Sequence, residues 1–470
     1  MKILLIRNHF GGNVNDRSPY SLNRVMGYTQ PLGIAYIASA LVKAGYVVEI
    51  LDSLAERLDN RETAARIAAA RPDIAGITAM TPTVKGALEA ARLAKEYGAI
   101  TVMGGPQLSA LPRETLAHPF VDFGVIGEGE TPMVNFVRAI ENKKPLHEIG
   151  GLVFKDNREI KINQPGIEND LNSVTPPALK LLNMGLYNSI LSRGKVTAMI
   201  SSRGCPYQCC FCAKQPSDRA IRFRDPKLVV DEMEAALGIF GSKEIMFYDD
   251  TLTLRREHIF GICNEILSRN LKISWIAPTR VNHVTPDLLK LMRRAGCRQL
   301  RYGVESGNQS ILDLMRKKIT LQQVRNAFRW SREAGIETLA FFIIAYPGEN
   351  KATIKETISF AKELQPDMAE FLLASPLPGT DMFDRAVEDM RVDRGYWRDF
   401  TLLKRDDPIP YFLADAEEHL ARAYRSFFFR PSYLIRRLKA VHSYDALNKH
   451  LKGAYALLNF RTRPKQRRHA

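Results

Sequence analysis

The chain has 470 residues, of which 45% are hydrophobic and 25% charged, and a formal net charge of +16. That length exceeds what one hydrophobic core serves, so two or three domains are expected, and the composition excludes a disordered or fibrous chain. The positive balance suits an anionic partner, but no RNA- or DNA-binding signature accompanies it, so no nucleic acid is expected.

The opening MKILLIRNHF shows neither a signal-peptide cleavage site nor a stop-transfer segment, and nowhere do about 18 apolar residues run together. A cytoplasmic location is therefore expected. Residues 1–142 read as repeated strand-then-helix units, beginning with a buried strand over Lys2–Arg7. Pro31 opens a helix (LGIAYIASALVKA) that Gly45 closes. Strands follow at Val47–Leu51, Ile74–Ile77, Ile100–Met103 and Phe123–Ile126, with helices at 61–70, 83–97 and 131–141. Short apolar strands alternating with amphipathic helices predict an α/β fold with a parallel sheet covered on both faces, a doubly wound Rossmann-like domain. Ligands of such sheets sit beyond the carboxyl ends of the strands. Those ends carry Thr78-Ala79-Met80-Thr81, Gly104-Gly105-Pro106-Gln107 and Gly127-Glu128-Gly129-Glu130. Glycine lets a flat cofactor approach the backbone closely. Taken singly, each glycine is explained as a turn; three such loops on one edge favour a cofactor site.

Residues 143–195 lack a long periodic run and read as a linker holding a hairpin, Gly151–Lys155 with Glu159–Ile162. A second series spans 196–395, with strands at Val196–Ser201, Glu244–Tyr248, Ile273–Ile276, Leu300–Gly303, Thr338–Ile344 and Met368–Ala374. Six parallel units predict a partial or full (β/α) barrel of the TIM type, with its chemistry at the carboxyl ends. Residues 396–470 read as helical and basic, ending in Arg461, Arg463, Lys465, Arg467 and Arg468. The run Phe427-Phe428-Phe429 is expected to be a packed helix face.

Four of the six cysteines fall within residues 205–212, where neighbouring thiols cannot staple distant segments. Cys205, Cys209 and Cys212 form C-x3-C-x2-C directly after the first barrel strand. Iron–sulfur clusters are usually held by four thiolates. Three ligands on one loop leave one iron of a [4Fe-4S] cluster open to a substrate's amino and carboxylate groups. A structural zinc site and inert buried thiols are the competing readings; zinc wants four closed ligands, and no matching pair follows downstream. Cys210 fits neither ligand spacing, and Cys263 and Cys297 sit on patterns that read as helices, so these three are expected to be packed thiols.

The C-x3-C-x2-C loop with Phe211 before its last cysteine resembles the radical S-adenosylmethionine enzymes. The likeness extends through Phe247-Tyr248-Asp249-Asp250, Gly303-Val304-Glu305-Ser306-Gly307, Tyr346-Pro347-Gly348-Glu349 and Pro376-Leu377-Pro378-Gly379-Thr380. With Pro31-Leu32-Gly33 and the two glycine loops at 104–106 and 127–130, it is similar to the subgroup with an N-terminal cobalamin-binding domain. That subgroup includes the class B radical methyltransferases and the anaerobic magnesium-protoporphyrin ester cyclases. The resemblance implies Cys205, Cys209 and Cys212 as cluster ligands. Phe211, Arg280, Glu305 and Ser306 would sit at S-adenosylmethionine, with Arg280 on the methionine carboxylate. Thr78, Met80, Gly104, Gly105, Pro106, Gln107, Gly127, Glu128 and Gly129 would lie at cobalamin. The D-x-H-x-x-G motif that supplies a histidine to cobalt is missing; His9 sits in Asn-His-Phe-Gly-Gly, and Gln107 stands where relatives often have histidine. The implied activity is release of a 5′-deoxyadenosyl radical, followed by cobalamin-dependent methyl transfer to an unactivated carbon. The alternatives are oxidative cyclisation or rearrangement and, from another class, a non-catalytic iron–sulfur or zinc module. Implied partners are a small-molecule or lipid-like substrate, an electron donor such as flavodoxin or ferredoxin, and a peripheral membrane contact through the basic end.

Overall fold

A computed structural model describes residues 1–9, 27–157, 159–187, 192, 194–213, 216–439 and 455. The basic residues 461–468 lie outside the described residues. Two sheets organise the chain. The first has seven strands: β1 (Lys2–Arg7), β2 (Val47–Asp52), β3 (Ile74–Thr78), β4 (Ile100–Gly104), β5 (Phe123–Val125), β6 (Leu152–Asp156) and β7 (Glu159–Ile162), in the order β2-β1-β3-β4-β5-β6-β7. The first five are parallel. The hairpin expected within a linker instead extends this sheet, with β6 antiparallel to both β5 and β7. Its apolar residues Leu152, Val153 and Phe154 are buried, so β6 continues the sheet and leaves β7 as the edge strand.

Local chemistry sets the helix ends. The helix Leu32–Lys43 begins directly after Pro31, and Gly45 leaves it at φ +93°, a conformation without penalty only for glycine. The helix Asn60–Ala70 starts on a capping box between Asp59 and Glu62.

After a two-residue antiparallel pair, β9 (Ser202–Arg203) with β10 (Arg222–Phe223), the second sheet dominates. Its strands are β8 (Val196–Met199), β11 (Glu244–Phe247), β12 (Ser274–Thr279), β13 (Cys297–Glu305), β14 (Glu337–Ile344) and β15 (Met368–Leu373). They pair in parallel in the order β15-β14-β13-β12-β11-β8, a six-stranded partial barrel. Cys297 opens β13 instead of lying on a helix. One short apolar run does not distinguish the two periods, and the buried register with Trp275 decides it.

The carboxyl-terminal part serves both units. Tyr396, Trp397 and Phe400 of the helix Tyr396–Thr401 join the core beneath the first sheet, whereas Leu420, Tyr424 and Phe427 of Ala416–Phe428 join the barrel core. Phe427 and Phe428 are buried and Phe429 is 39% exposed, so two of the three aromatics are packed. Among the described residues no helix is long and apolar enough to cross a membrane.

Candidate functional site

The carboxyl edge of the first sheet and the mouth of the barrel face one another across a cavity of about 560 Å³. Glycines make this space. At Gly105, φ is +93° and a Cβ would stand 2.7 Å from Ala79 O and 2.9 Å from Thr78 Oγ1. At Gly76, in the middle of β3, it would meet Leu5 Cδ2 at 2.7 Å; at Gly129, Ile37 Cδ1 at 2.7 Å. The cavity therefore runs from the strand ends down between the sheet and the helix Leu32–Lys43, past Leu5, Ile34, Ile37 and Val102.

Of the residues expected at a corrin, Thr78, Gly104, Gly105, Gly127, Glu128 and Gly129 line this cavity. Met80, Pro106 and Gln107 do not. Met80 is 48% exposed, Pro106 begins a short helix, and Gln107 is fully buried with its amide donating to Thr401 Oγ1 at 2.9 Å. The carboxyl-terminal helix claims Gln107, a contact between residues too far apart in sequence for local pattern to show. None of the described residues lining the cavity is a histidine, and His9 Nε2 is bonded to Asn60 Oδ1 at 2.7 Å.

The far wall comes from the barrel: Ile200, Arg203 and Tyr248. Arg203 reaches Glu130 at 2.5 Å and Glu128 at 3.2 Å, with its guanidinium 5.2 Å from the Tyr36 ring centre. Arg222 adds a second arm to Glu128 at 2.7 Å. Burial alone would raise the Glu128 carboxyl; the Arg222 hydrogen bond and the charges of Arg203 and Arg222 outweigh it and hold the group below the usual carboxylate range. Tyr36, Arg203 and Arg222 carried no signal of this role on their own; only the position of Arg203 two residues before Cys205 hinted at it.

The cysteine loop follows at once. Gly204 has φ +97°, and a Cβ there would overlap Ala220 O, so the sharp entry into the loop needs glycine. Cys205 N donates to Asp218 O at 2.9 Å and Cys212 N to Cys209 O at 3.0 Å. Cys210 is anchored on both sides, its N–H on Met315 O and its carbonyl receiving Met382 N–H, each at 3.0 Å. Cys205 and Cys209 are partly accessible and Cys212 is exposed, whereas Cys210, Cys263 and Cys297 are buried. Burial pushes all three buried thiols up, Cys263 to about 12, so they resist the thiolate form that ligates metal. Among the described residues no three His, Cys, Asp or Glu side chains converge on one metal ion. A single zinc needs that convergence, while the thiolates of a cubane each bind a separate iron.

Around the loop, Arg280 is buried under Tyr207, guanidinium 3.6 Å from the ring centre, with Nη1 3.7 Å from Cys209 Sγ and Nη2 on Lys317 O. Tyr207 OH is bonded to His283 Nε2. Glu305, at φ +69°, accepts from Lys317 Nζ at 2.6 Å. Phe211 packs against the core below the first sheet, 5.9 Å from Lys317 Nζ. Ser306 is buried, paired with Thr357 Oγ1 at 3.1 Å. Phe211, Arg280 and Glu305 thus gather around Lys317 and the loop, and Ser306 turns towards the helix behind.

Residues 199–361 match the family model of the radical SAM superfamily, and residues 22–137 that of the B12 binding domain. An uncharacterized methyltransferase of Pyrococcus horikoshii, PH0819, is 33% identical over 431 residues, which is 90% of this chain and 93% of that one. The chain belongs to the cobalamin-binding radical S-adenosylmethionine enzymes. An anaerobic magnesium-protoporphyrin IX monomethyl ester cyclase of Cereibacter sphaeroides is also 33% identical, over 78% of this chain and 62% of that one. The fold is shared with the methyltransferase TsrM of Kitasatospora setae, solved with tryptophan substrate and an S-adenosylmethionine analogue (TM-score 0.68, 20% identity, 83% of this chain and 76% of that one). Members of this family use a [4Fe-4S] cluster, S-adenosylmethionine and cobalamin. In this member the accessible thiols at the barrel mouth suit the cluster. The glycine-cleared cavity suits a flat macrocycle with a tail reaching below the strand ends.

Proposed function

We propose that this chain is a methyltransferase that places a methyl group on an unactivated carbon of a small molecule. The observation that carries it is the shared wall: Arg203 lines the glycine-cleared cavity, and Cys205, two residues later, opens the cysteine loop. Two cofactors held there would face a common space, with a substrate carbon between them within reach of both. When bound, the cluster supplies one electron to the sulfonium of S-adenosylmethionine and the corrinoid supplies a transferable methyl group.

The protein's part is to bind, orient and exclude water. Cys205, Cys209 and Cys212 would hold the cluster, and Arg280 would hold a fixed positive charge against the sulfur of Cys209. Lys317 and Glu305 form a buried pair at the end of β13, where a nucleoside's hydroxyls and ammonium would find a carboxylate. The Glu128–Arg222 and Arg203–Glu130 pairs tie the corrin cradle to the barrel, which keeps the distance between the two cofactors fixed. An external carrier such as flavodoxin or ferredoxin would deliver the electron.

Anaerobically reconstituted enzyme, given S-adenosylmethionine, a reductant and candidate substrates, is expected to release 5′-deoxyadenosine and S-adenosylhomocysteine together, with a product heavier by one CH₂. 5′-Deoxyadenosine with no gain in mass would replace methylation by cyclisation or rearrangement, the reading that the Cereibacter relative supports. No 5′-deoxyadenosine from enzyme with full iron and corrin content would end the radical reading.

A further inference from the structure

The barrel lumen carries charges that the reaction above does not use. Ile245, Phe247, Trp275, Ala277, Leu300 and Tyr302 face the outer helices in the large core. The alternate residues face inward: Val196, Met246 and Ile276 form a separate small cluster, and the two-residue period puts Tyr248, Pro278, Arg301 and Gly303 on the same side. Register then aligns the wall. Pro278 pairs with Arg301, Arg301 with Leu339, and Leu339 with Met368, while Gly303, Phe341 and Glu370 form the next row. Arg301 and Glu370 therefore both stand on the inner wall, on strands separated only by β14.

Among the described residues neither forms an ion pair. Arg301 Nη1 meets only Met246 Sδ, at 3.7 Å, and its buried Nε has no acceptor. No described residue donates a hydrogen bond to the Glu370 carboxylate, and no ion pair joins it to Arg301; the two feel one another only across a gap. Burial pulls the Arg301 guanidinium below its ordinary value and pushes the Glu370 carboxyl above its own, although both side chains remain partly accessible. Opposite charges held poorly solvated and unpaired are costly unless something enters to pair with them. Tyr248, close enough to Arg301 to act on its charge, also lines the corrin cavity, so one residue borders both the lumen wall and the place where a methyl donor would sit.

We propose that this lumen is the substrate pocket and takes a zwitterionic small molecule, its anionic group on Arg301 and its cationic group on Glu370. The inference rests on the reading of the chain as a radical enzyme acting on a small molecule and adds the charge pattern of that molecule. Leu339 and Phe341 of β14, which stand between the two charges, suit an apolar carbon framework, where an unactivated C–H lies.

The test is binding without turnover. Enzyme loaded with iron and corrin is titrated calorimetrically with L-phenylalanine, 3-phenylpropionate and phenethylamine, which carry both charges, the anion alone and the cation alone. L-Phenylalanine is expected to bind the natural enzyme. Arg301→Gln should weaken L-phenylalanine and 3-phenylpropionate by about tenfold or more and leave phenethylamine unchanged; Glu370→Gln should do the converse. Arg301→Lys, which keeps the charge, should stay within about threefold and decides the matter if Arg301→Gln does not fold and load. Failure of L-phenylalanine to bind the natural enzyme, equal binding by all variants, or loss of S-adenosylmethionine affinity in its place would overturn the proposal. 5′-Deoxyadenosine release, assayed on the same preparations, keeps the two readings apart. Release without charge discrimination sinks the lumen alone, and discrimination without release sinks the radical reading alone.

Discussion

The corrin cradle and the barrel mouth face the same space and are built from different materials. The cradle is mostly backbone and absent side chains: Gly76, Gly105 and Gly129 each stand where a methyl group would collide with a neighbour. The barrel mouth is mostly side chains: three accessible thiols, a guanidinium beside one of them, and buried ion pairs. Space is made by deletion, and chemistry by placing functional groups. The two halves should therefore fail differently when perturbed.

The largest effect belongs to the thiols. Cys209→Ala is expected to abolish cluster loading and all 5′-deoxyadenosine formation, read by iron content and by the loss of the brown chromophore, while corrin binding survives. Cys263→Ala, inside the barrel core, should keep the cluster and cost about 1–2 kcal/mol of stability from the lost packing. Equal iron content in the two variants would erase the distinction between accessible and buried cysteines.

The cradle should show the reverse pattern. Gly105→Val forces a β-branched residue into φ +93° and drives its Cβ onto Ala79 O. The collision must shift the strand-end loop that lines the cavity, so corrin affinity should fall about tenfold or more, with iron content unchanged. Normal corrin binding would show that the cavity does not hold the macrocycle. Arg203 lies between the halves. Arg203→Met leaves Glu130 without its 2.5 Å partner while Arg222 still holds Glu128. Because these side chains are partly solvated, the loss should be about 2 kcal/mol of stability, with weakened corrin retention as the sign that the halves have separated.

This difference in material also explains what was legible in the sequence. The cysteine loop could be read at sight, because C-x3-C-x2-C places three thiols on one turn whatever surrounds it. The alternation of strands and helices gave both sheets, and the glycine pairs at 104–105 and 127–129 marked the cradle. What could not be read depends on distant contacts. Gln107 looked like a ligand until the helix at 396–401 took its side chain, and β6 looked like a linker until it met β5. Tyr248 was visible within Phe247-Tyr248-Asp249-Asp250, but its place between the cavity and Arg301 depends on strands far apart in sequence.

The smallest net effect is a pair of opposing pH dependences on the barrel side. His258, buried against Ser201 Oγ at 2.9 Å, is pushed down to about 4 by burial and by the charges of Arg255 and Arg224, with Asp225 opposing. The unfolded chain binds that proton more readily, so this contribution is complete above pH 6.5 and lost as pH falls towards 4. Glu349 is raised to about 7 by burial, against the N–H groups of Tyr346 and Ala345. Here the folded state holds the proton more tightly, so its contribution is complete below pH 4.5 and lost as pH rises through 7. Each shift corresponds to at most about 3 kcal/mol, and the two oppose one another between pH 4.5 and 6.5. The contributions of these two groups to the urea midpoint should therefore nearly cancel across that interval. Glu349→Gln should leave a curve that rises with pH, and His258→Phe one that falls. If both variants stay flat, neither group titrates on unfolding. If corrin-site variants such as Gly105→Val change the slope as strongly, the barrel is not the seat of the proton linkage, and the contrast between the two halves fails on the point where it predicts the least.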